Sequence, residues 1–228
     1  MDDSLSSDAA HVPGSTPRTR VRRIPENAVN ETAALHHVLD SGLVAHVAVV
    51  TDGQPFVIPV AYARRGVEVL FHGSSASRLF TSLAAGQPTC LTVTLLDGLV
   101  LARSAFESSM NYRSAMVIGV ARRLEGDDEL DALRVITEHL IPGRWQEIRH
   151  PAPKERAATI TLALSLDECS VKMRSGGPDD VPSDLTDPVY SRVWAGHVPL
   201  HESFGHPVSD DLSDGETPVP PYVLDWKR

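Results

Sequence analysis

The spacing of apolar residues predicts one helix and then three strands in the first third of the chain. Apolar residues recur at helical intervals between Asn30, which favours a helix start, and Gly42, which favours a helix end. The period then shortens to that of strands, and turn pairs at Asp52–Gly53 and Arg65–Gly66 separate three apolar runs. These runs span residues 43–50, 55–62 and 67–72. Because tight turns join antiparallel neighbours, the sequence predicts a meander and not a βαβ unit.

The rest of the central part alternates helices with longer strands. A short helix is predicted from Arg78 to Ala85, and an amphipathic one from Glu129 to Leu140. Strand patterns cover residues 88–96, then 99–101 after a turn at Asp97–Gly98, then Asn111–Leu124 and Ala158–Arg174. About six strands with two or three helices at the connections favour an α+β protein built on an antiparallel barrel.

Both ends of the chain differ from this central part in composition. Residues 1–17 are mostly polar or small, and we expect them to form a disordered tail. Residues 18–174 then carry the barrel domain. Residues 175–228 are rich in Pro, Gly and Asp, yet they contain large apolar groups such as Trp194 and Trp226. This mixture is typical of an extended arm that packs on the barrel or on a partner subunit.

The overall charge argues against a nucleic-acid-binding protein. The 228 residues include 30 acidic and 21 basic side chains, and the formal net charge of -9 repels phosphate backbones. A basic stretch at residues 18–23 is the exception. A solvated edge, or arginines paired with the acidic body, explains this stretch more simply than an anionic partner does.

Other features favour a soluble, cytoplasmic protein without a structural metal. Cys90 and Cys169 are too few and too far apart for a disulfide framework. No apolar run approaches the ~18–20 residues of a membrane span, and the acidic N-terminus is unlike a secretory signal. The histidines show no metal-ligand spacing; His36 and His37, for example, are adjacent and point in different directions on a helix.

The clearest chemical pattern lies at residues 71–78, where the third strand ends. Motifs for dinucleotide, P-loop and nucleophile-elbow sites are absent from the sequence. In this segment a Gly/Ser turn exposes N–H groups and hydroxyls, and Arg78 follows in the first turn of the next helix. Such donors suit a phosphate, which a planar guanidinium can bind bidentately. A capped helix start with an exposed arginine is the alternative.

A second polar cluster opens the long strand that begins at Asn111. Asn111, Tyr112, Arg113 and Ser114 stand directly before the apolar residues 115–119. Polar groups at the mouth of a buried strand need hydrogen-bond partners. Either neighbouring strands or a polar ligand can supply them.

Taken in order, these segments resemble the pyridoxamine 5'-phosphate oxidase-like flavoproteins with a split β-barrel, specifically the branch related to nitroimidazole reductases. The resemblance extends over about residues 20–200. The matching segments are residues 42–48, 52–59, 70–74 with Ser77–Arg78, 111–119, 142–145, 171–174 and 193–196. The resemblance implies a homodimer with FMN at the subunit interface, and a small molecule as the other partner.

The resemblance also assigns roles to individual residues. Those implied in cofactor binding are Pro59, Val60, Ala61, Tyr62, Phe71, His72, Ser74, Ser77, Arg78, Asn111, Tyr112 and Ser114. His72 and Tyr112 are the candidate proton donors, and a hydrogen-bonding wall of the site is the alternative role for His72. Candidates for substrate binding are Lys172, Arg174 and Trp194.

The function implied is that of an FMN-dependent oxidoreductase acting on an unidentified small molecule. Hydride would pass through the flavin ring, and the protein would supply orientation, electrostatics and a proton. The alternative is a protein that binds a flavin, haem or a deazaflavin as a sensor or carrier without turnover. A cofactor-free dimeric scaffold is the third possibility.

Overall fold

The computed structural model describes residues 12–212 and 217–226, which form ten strands and six α-helices. The strands are β1 (Ala28–Val29), β2 (Val44–Thr51), β3 (Gln54–Arg65), β4 (Glu68–Ser74), β5 (Pro88–Leu101), β6 (Ser109–Val120), β7 (Arg122–Arg123), β8 (Thr159–Ser165), β9 (Cys169–Arg174) and β10 (Gly196–Pro199). The helices are α1 (Thr32–Ser41), α2 (Arg78–Ala84), α3 (Gly126–Leu140), α4 (Pro153–Ala157), α5 (Pro182–Thr186) and α6 (Pro221–Leu224). None of the helices in these residues has the length and apolar character that a membrane crossing needs.

The strands form an antiparallel sheet in two halves that share β3. Their order is β1-β9-β6-β5-β2-β3-β4-β8-β7, and β10 pairs with β5 outside this path. β3 pairs with β2 as far as Ala61, whereas Tyr62 and the residues after it pair with β4. The sheet therefore folds over at β3. The predicted meander of β2, β3 and β4 is confirmed, and it is the piece that joins the two halves.

The chain itself brings the ends of the sheet back together. β6 ends at Val120 and β7 begins at Arg122, so Ala121 alone connects one half to the other. No ladder joins β6 to β8 within the described residues, and the barrel stays open along this line. The fold is the α+β split β-barrel that the resemblance implied.

The single strand predicted over Ala158–Arg174 is wrong, because this segment forms two strands in different halves of the sheet. β8 pairs with β4 and β7, whereas β9 pairs with β6 and β1. The acidic pair Asp167–Glu168 marks the break between them. This division, together with the short strands β1, β7 and β10, explains why ten strands are found where about six were expected.

A β-bulge takes the place of the turn predicted at Asp97–Gly98. β5 continues to Leu101, and its register against β6 shifts between Leu96 and Gly98. A Cβ at position 98 would lie 2.6 Å from the carbonyl oxygen of Val198, so a glycine here lets β10 approach β5 closely. The Asp–Gly pair therefore belongs to a bulge beneath a covering strand.

An aliphatic core fills the barrel, as the aromatic content of 5% predicts. Two helices close it: α1 with Leu35, Val38 and Leu39, and α2 with Leu79, Phe80 and Leu83. Each fully buried side chain of this size stabilises the fold by about 1.5–3 kcal/mol. The helix α3 covers the opposite face of β3, β4 and β8 through a separate apolar cluster.

Parts of both terminal segments lie against the barrel. Residues 1–11 of the expected tail fall outside the described residues, but the Gly14 N–H donates to the Cys169 carbonyl at 2.7 Å and Thr19 is buried. Gly14, within the expected tail, therefore contacts β9 of the barrel. In the arm, β10 pairs with β5, and the Tyr222 hydroxyl of α6 lies 2.6 Å from Glu147 Oε2.

Tyr62 joins β3 to α1 at the point where the sheet folds over. Its side chain is fully buried and its hydroxyl donates to the Leu39 carbonyl at 2.6 Å. We expect Tyr62→Phe to lower the free energy of unfolding by about 1–3 kcal/mol, because a buried acceptor loses its donor. Urea denaturation measures this loss. Tyr190→Phe is the matched control, since that ring is exposed in the arm; an equal loss in both variants would contradict the assignment.

Candidate functional site

The turn between β4 and α2 presents several polar groups to the surface. Ser74 Oγ accepts a hydrogen bond from the Ala76 N–H at 3.2 Å, and the Ser74 carbonyl accepts one from the Ser77 N–H at 2.9 Å. Ser77 stands at the N-cap of α2, and its hydroxyl makes no capping hydrogen bond. The turn is thus ordered by hydrogen bonds to Ser74, and no capping bond occupies the Ser77 hydroxyl.

Close packing of α2 on β4 sets the position of this turn. A Cβ at Gly73 would lie 2.1 Å from Phe80 Cε2, so only glycine allows the Phe80 ring to sit on the strand. The Phe80 ring in turn lies 6.1 Å from that of Phe71, in a tilted arrangement. The helix that begins with Arg78 is therefore held against the end of β4.

Arg78 is placed by an aromatic ring and not by a carboxylate. Its guanidinium carbon lies 4.4 Å from the centroid of the Phe56 ring on β3, which is a cation–π geometry. Within the described residues it forms no ion pair, unlike most arginines of this acidic chain. The positive charge next to the Gly/Ser turn is therefore oriented and not neutralised, as an anion-binding site requires.

His72 lies on β4 beside this turn, opposite Thr161 of β8. Its Nδ1 atom is buried and has no hydrogen-bond partner within the described residues. Burial lowers the pKa of the imidazole below its usual value, so the ring is neutral near neutral pH. A neutral ring with an orphaned nitrogen favours the hydrogen-bonding role for His72 over that of a charged proton donor.

The predicted cofactor residues of β3 and β4 divide between the two faces of the sheet. Pro59 is exposed and Ala61 is half-buried on the outer face. Val60, Tyr62 and Phe71 have buried side chains in the core. These three can reach a ligand through backbone groups only.

The predicted residues of β6 lie elsewhere in the same chain. Asn111, Tyr112 and Ser114 are separated from β3 by β5 and β2. Asn111 is buried, and its amide binds the Gly176 carbonyl at 3.0 Å and Arg174 Nη1 at 2.9 Å. The Ser114 hydroxyl donates to the Lys172 carbonyl at 3.4 Å. Neighbouring strands therefore satisfy Asn111 and Ser114, and one chain does not bring this cluster to the Arg78 turn.

The three predicted substrate residues are not brought together either. Arg174 is engaged by Asn111, by the Gly177 carbonyl at 2.9 Å and by Asp179 at 3.3 Å. Lys172, two residues away on β9, donates from Nζ to the Arg23 carbonyl at 3.1 Å. Trp194 lies in the arm with 65% of its surface exposed.

A cavity of about 740 Å³ lies between α1, β2, β5 and the arm, and sequence reasoning did not identify it. Its polar lining includes His37, His46, His201, Asp97 and Arg113, and its apolar lining includes Val44, Leu95, Leu96, Leu200 and Phe204. The residues come from four separate parts of the chain, so spacing along the sequence gave no signal. A smaller cavity of about 310 Å³ shares Asp97 and Arg113 with it.

Arg113 is a positively charged residue of the cavity lining whose side chain is held in place by hydrogen bonds. Its guanidinium pairs with Asp97 at 2.7 Å, and Nη1 lies 3.0 Å from His37 Nε2. The hydrogen bonds and charge of Asp97 raise the pKa of Arg113. The carboxylate of Asp97, at the bulge of β5, thus orients the guanidinium of Arg113 in the cavity lining. The sequence indicated a polar Arg113 but not its partner.

An open antiparallel sheet folded over at β3, with helices at its connections, defines the class of split β-barrel proteins. The chain belongs to the pyridoxamine 5'-phosphate oxidase family, whose model matches residues 31–173. This family agrees with the resemblance read from the sequence. No curated protein matches the chain significantly.

Two solved structures are similar to the chain over most of its length. The flavocytochrome Anf3 from Azotobacter vinelandii is 37% identical, with a TM-score of 0.87 over 95% of this chain and 99% of its own. The FAD and haem binding protein from Mycobacterium smegmatis is 39% identical, with a TM-score of 0.81 over 86% and 95%. A 5-nitroimidazole antibiotic resistance protein from Bacteroides thetaiotaomicron, described as putative, is 17% identical with a TM-score of 0.53 over 64% and 85%; it shares the fold.

The lowered pKa of His72 predicts a window of acid sensitivity. In the unfolded chain a histidine titrates near ~6.5, and in the folded chain His72 titrates below that. Between these two pKa values the unfolded chain binds more protons, so the stability from this group is present above ~6.5 and declines as the pH falls to the folded value.

Urea denaturation from about pH 7.5 down to about pH 5 tests this window. We expect His72→Gln to lose less stability over this range than the wild type does. The control His197→Gln changes an exposed histidine of the arm and should follow the wild type. Identical pH profiles for wild type and His72→Gln would contradict the burial argument.

Proposed function

We propose that this chain is a flavin-dependent oxidoreductase whose cofactor phosphate binds at the β4–α2 turn. The observation that carries the proposal is the Arg78 guanidinium, which is oriented by Phe56 and unpaired beside the Gly/Ser turn. The names of two similar solved structures, a flavocytochrome and an FAD and haem binding protein, support a flavin. FMN is the smallest flavin cofactor that carries a phosphate group for this site.

The roles of the surrounding residues follow from their geometry. A bound flavin supplies the hydride or electron transfer. Arg78, Ser74 and Ser77 would hold its phosphate, and the resemblance assigns backbone groups of residues 59–62 to its polar edge. His72 stands beside the turn with a neutral ring and an unpartnered Nδ1, on the face of β4 opposite to α2. On the outer face of β3, the exposed apolar side chain of Val57 lies beside Pro59 and offers apolar surface to a ring system.

We also propose that two copies of the chain pack through the outer face of the sheet. Alternate residues of β2, β3 and β6 are exposed apolar groups, namely Val44, Val50, Val57 and Val120. A patch of this kind marks an interaction surface in a soluble protein. A second copy would bring its Tyr112 and Ser114 to the site, since the first chain keeps these residues three strands from β3.

Haem binding in the 740 Å³ cavity is a second candidate function. His37, His46 and His201 line this cavity together with leucine and phenylalanine side chains. No three metal-binding side chains of the described residues come together to hold a bare ion. A porphyrin itself supplies four ligands, however, so one or two histidines suffice for haem iron.

Removing Arg78 tests the flavin proposal directly. We expect Arg78→Ala to weaken flavin binding by about 1.5–3 kcal/mol, the range for a hydrogen bond to a charged group, or one to two orders of magnitude in Kd. Quenching of flavin fluorescence on titration with FMN measures this. Arg134→Ala is the control, because that exposed arginine pairs with Asp131 on α3. Equal affinity in wild type and Arg78→Ala, or no flavin binding at all, would refute the site.

A haemin titration tests the second candidate. Wild-type protein should shift the Soret band of added haemin with one equivalent bound per chain. Single alanine variants of His37, His46 and His201 should identify the ligand through loss of this spectrum, whereas His150→Ala, outside the cavity, should retain it. A spectrum that all three variants retain would remove the cavity as a haem site.

A further inference from the structure

Two buried polar atoms stand opposite each other in the sheet and have no hydrogen-bond partner within the described residues. They are His72 Nδ1 on β4 and Thr161 Oγ1 on β8. His72 and Thr161 are partners in the β4–β8 ladder, so their side chains leave the same face of the sheet. The Cβ atoms of directly opposite residues in an antiparallel pair lie about 4.5–5.5 Å apart. A single small group can therefore bridge the two atoms.

Successive pairs of the β4–β8 ladder lead from the interior to the turn before α2. The inner pair, Leu70 opposite Ala163, belongs to the apolar cluster under α3. The outer pair includes Ser74, which is exposed at the Gly/Ser turn. His72 and Thr161 form the pair between these two, on the same face. This polar pair therefore connects the buried cluster to the proposed phosphate site.

Burial makes these unpaired atoms costly to the fold. Thr161 is only 1% exposed, and His72 Nδ1 is shielded from solvent as well. A buried polar group without a partner loses the hydrogen bonds that water gives it in the unfolded chain. Folded proteins pair nearly all such groups, either with protein atoms or with a buried water that makes about three hydrogen bonds. Two unpaired atoms that face each other in one ladder suit such a water.

The neighbouring groups decide the direction of these hydrogen bonds. β8 is paired on both sides, with β4 and with β7, and the Thr161 carbonyl accepts from the Leu124 N–H at 2.9 Å. Because the backbone acceptors of the strand are engaged, the Thr161 hydroxyl donates towards His72. Burial lowers the pKa of His72, so its neutral ring has one N–H and one acceptor nitrogen. Nδ1 is then the acceptor, and the proton resides on Nε2.

We propose that Thr161 is the positioning residue of His72. Through one bound water its hydroxyl donates to His72 Nδ1, which holds the ring in one orientation and in the tautomer that is protonated at Nε2. The Nε2–H group is then a fixed donor beside the Gly/Ser turn, and it suits an oxygen acceptor of the bound ligand. Only this last role rests on the proposed flavin function. The coupling of Thr161 to His72 is a property of the sheet itself.

The sign of a stability change tests the coupling. Thr161→Val removes the hydroxyl and keeps the shape of the side chain. Thr89→Val is the matched control, because Thr89 is also buried in the sheet and its hydroxyl donates to the Ala48 carbonyl at 2.7 Å. We expect the unfolding equilibrium constant from urea denaturation to rise at least about threefold in both variants. Removal of a truly unpaired hydroxyl would have the opposite sign, so unchanged or greater stability of Thr161→Val would overturn the proposal.

The tautomer of His72 is a readout that a merely structural threonine would not move. Nitrogen-15 NMR of the histidine rings at about pH 8.5, where imidazoles are neutral, distinguishes the two tautomers, and His72→Gln identifies the signals. Wild type and Thr161→Ser should hold the proton on Nε2, whereas Thr161→Val should increase the other tautomer at least about threefold. Equal populations in wild type and Thr161→Val would overturn the coupling. So would a wild-type ring protonated at Nδ1, which decides the question even if Thr161→Val does not fold.

Titration with FMN separates failure of this inference from failure of the flavin proposal. We expect Thr161→Val to bind FMN at least about threefold more weakly than wild type, and Thr161→Ser to bind it as wild type does. Unchanged affinity in Thr161→Val would overturn the role of His72 towards the ligand. If wild-type protein binds no flavin, the flavin proposal fails, and the stability and tautomer measurements still decide whether Thr161 positions His72.

Discussion

The strand β3 is hydrogen-bonded in both halves of the sheet, and the position at which it changes partner determines the rest of the structure. The change falls between Ala61, opposite Val44, and Tyr62, opposite Phe71. Tyr62 is buried and bound to Leu39, so α1 cannot shift without moving this strand. The first part of β3 has β2 on one side only. Its other side faces the end of β4, where Phe56 meets Arg78. The proposed anion site therefore depends on the parting of β3 and β4.

The distribution of ion pairs among the described residues leaves little unpaired positive charge on this acidic chain. Most arginines are consumed in ion pairs, which contribute little to stability at the surface but cancel charge. Arg78 is an exception within the described residues, because it lies on the Phe56 ring and forms no ion pair. A net negative body repels large polyanions, while a local cation keeps its attraction for small ones. The proposed preference for a small phosphorylated cofactor rests on this contrast between the two length scales.

The sequence predicted those parts of the molecule that local patterns control. The meander, the helices α1, α2 and α3, and the Gly/Ser turn before Arg78 each depend on residues within a few positions of one another. The break at Asp167–Glu168 and the bulge at Asp97 depend on strands far away in the chain, so periodicity did not reveal them. For the same reason the cavity of His37, His46 and His201 was missed, although each histidine was visible in the sequence. The resemblance assigned Tyr62 and Phe71 to cofactor binding, but both side chains are buried and pack in the core. Assigning site residues from a family resemblance therefore does not distinguish a side chain that meets the cofactor from one that packs in the core.

The edges of the sheet also restrict how copies of the protein can meet. Both ends of the strand order, β1 and β7, are only two residues long. The far part of β5 is covered by β10, which ends at a proline and so offers no N–H there for a further strand. Short or covered edges of this kind prevent strand-by-strand growth of a sheet between molecules. The faces of the sheet, and not its edges, are therefore the surfaces left for contacts between copies.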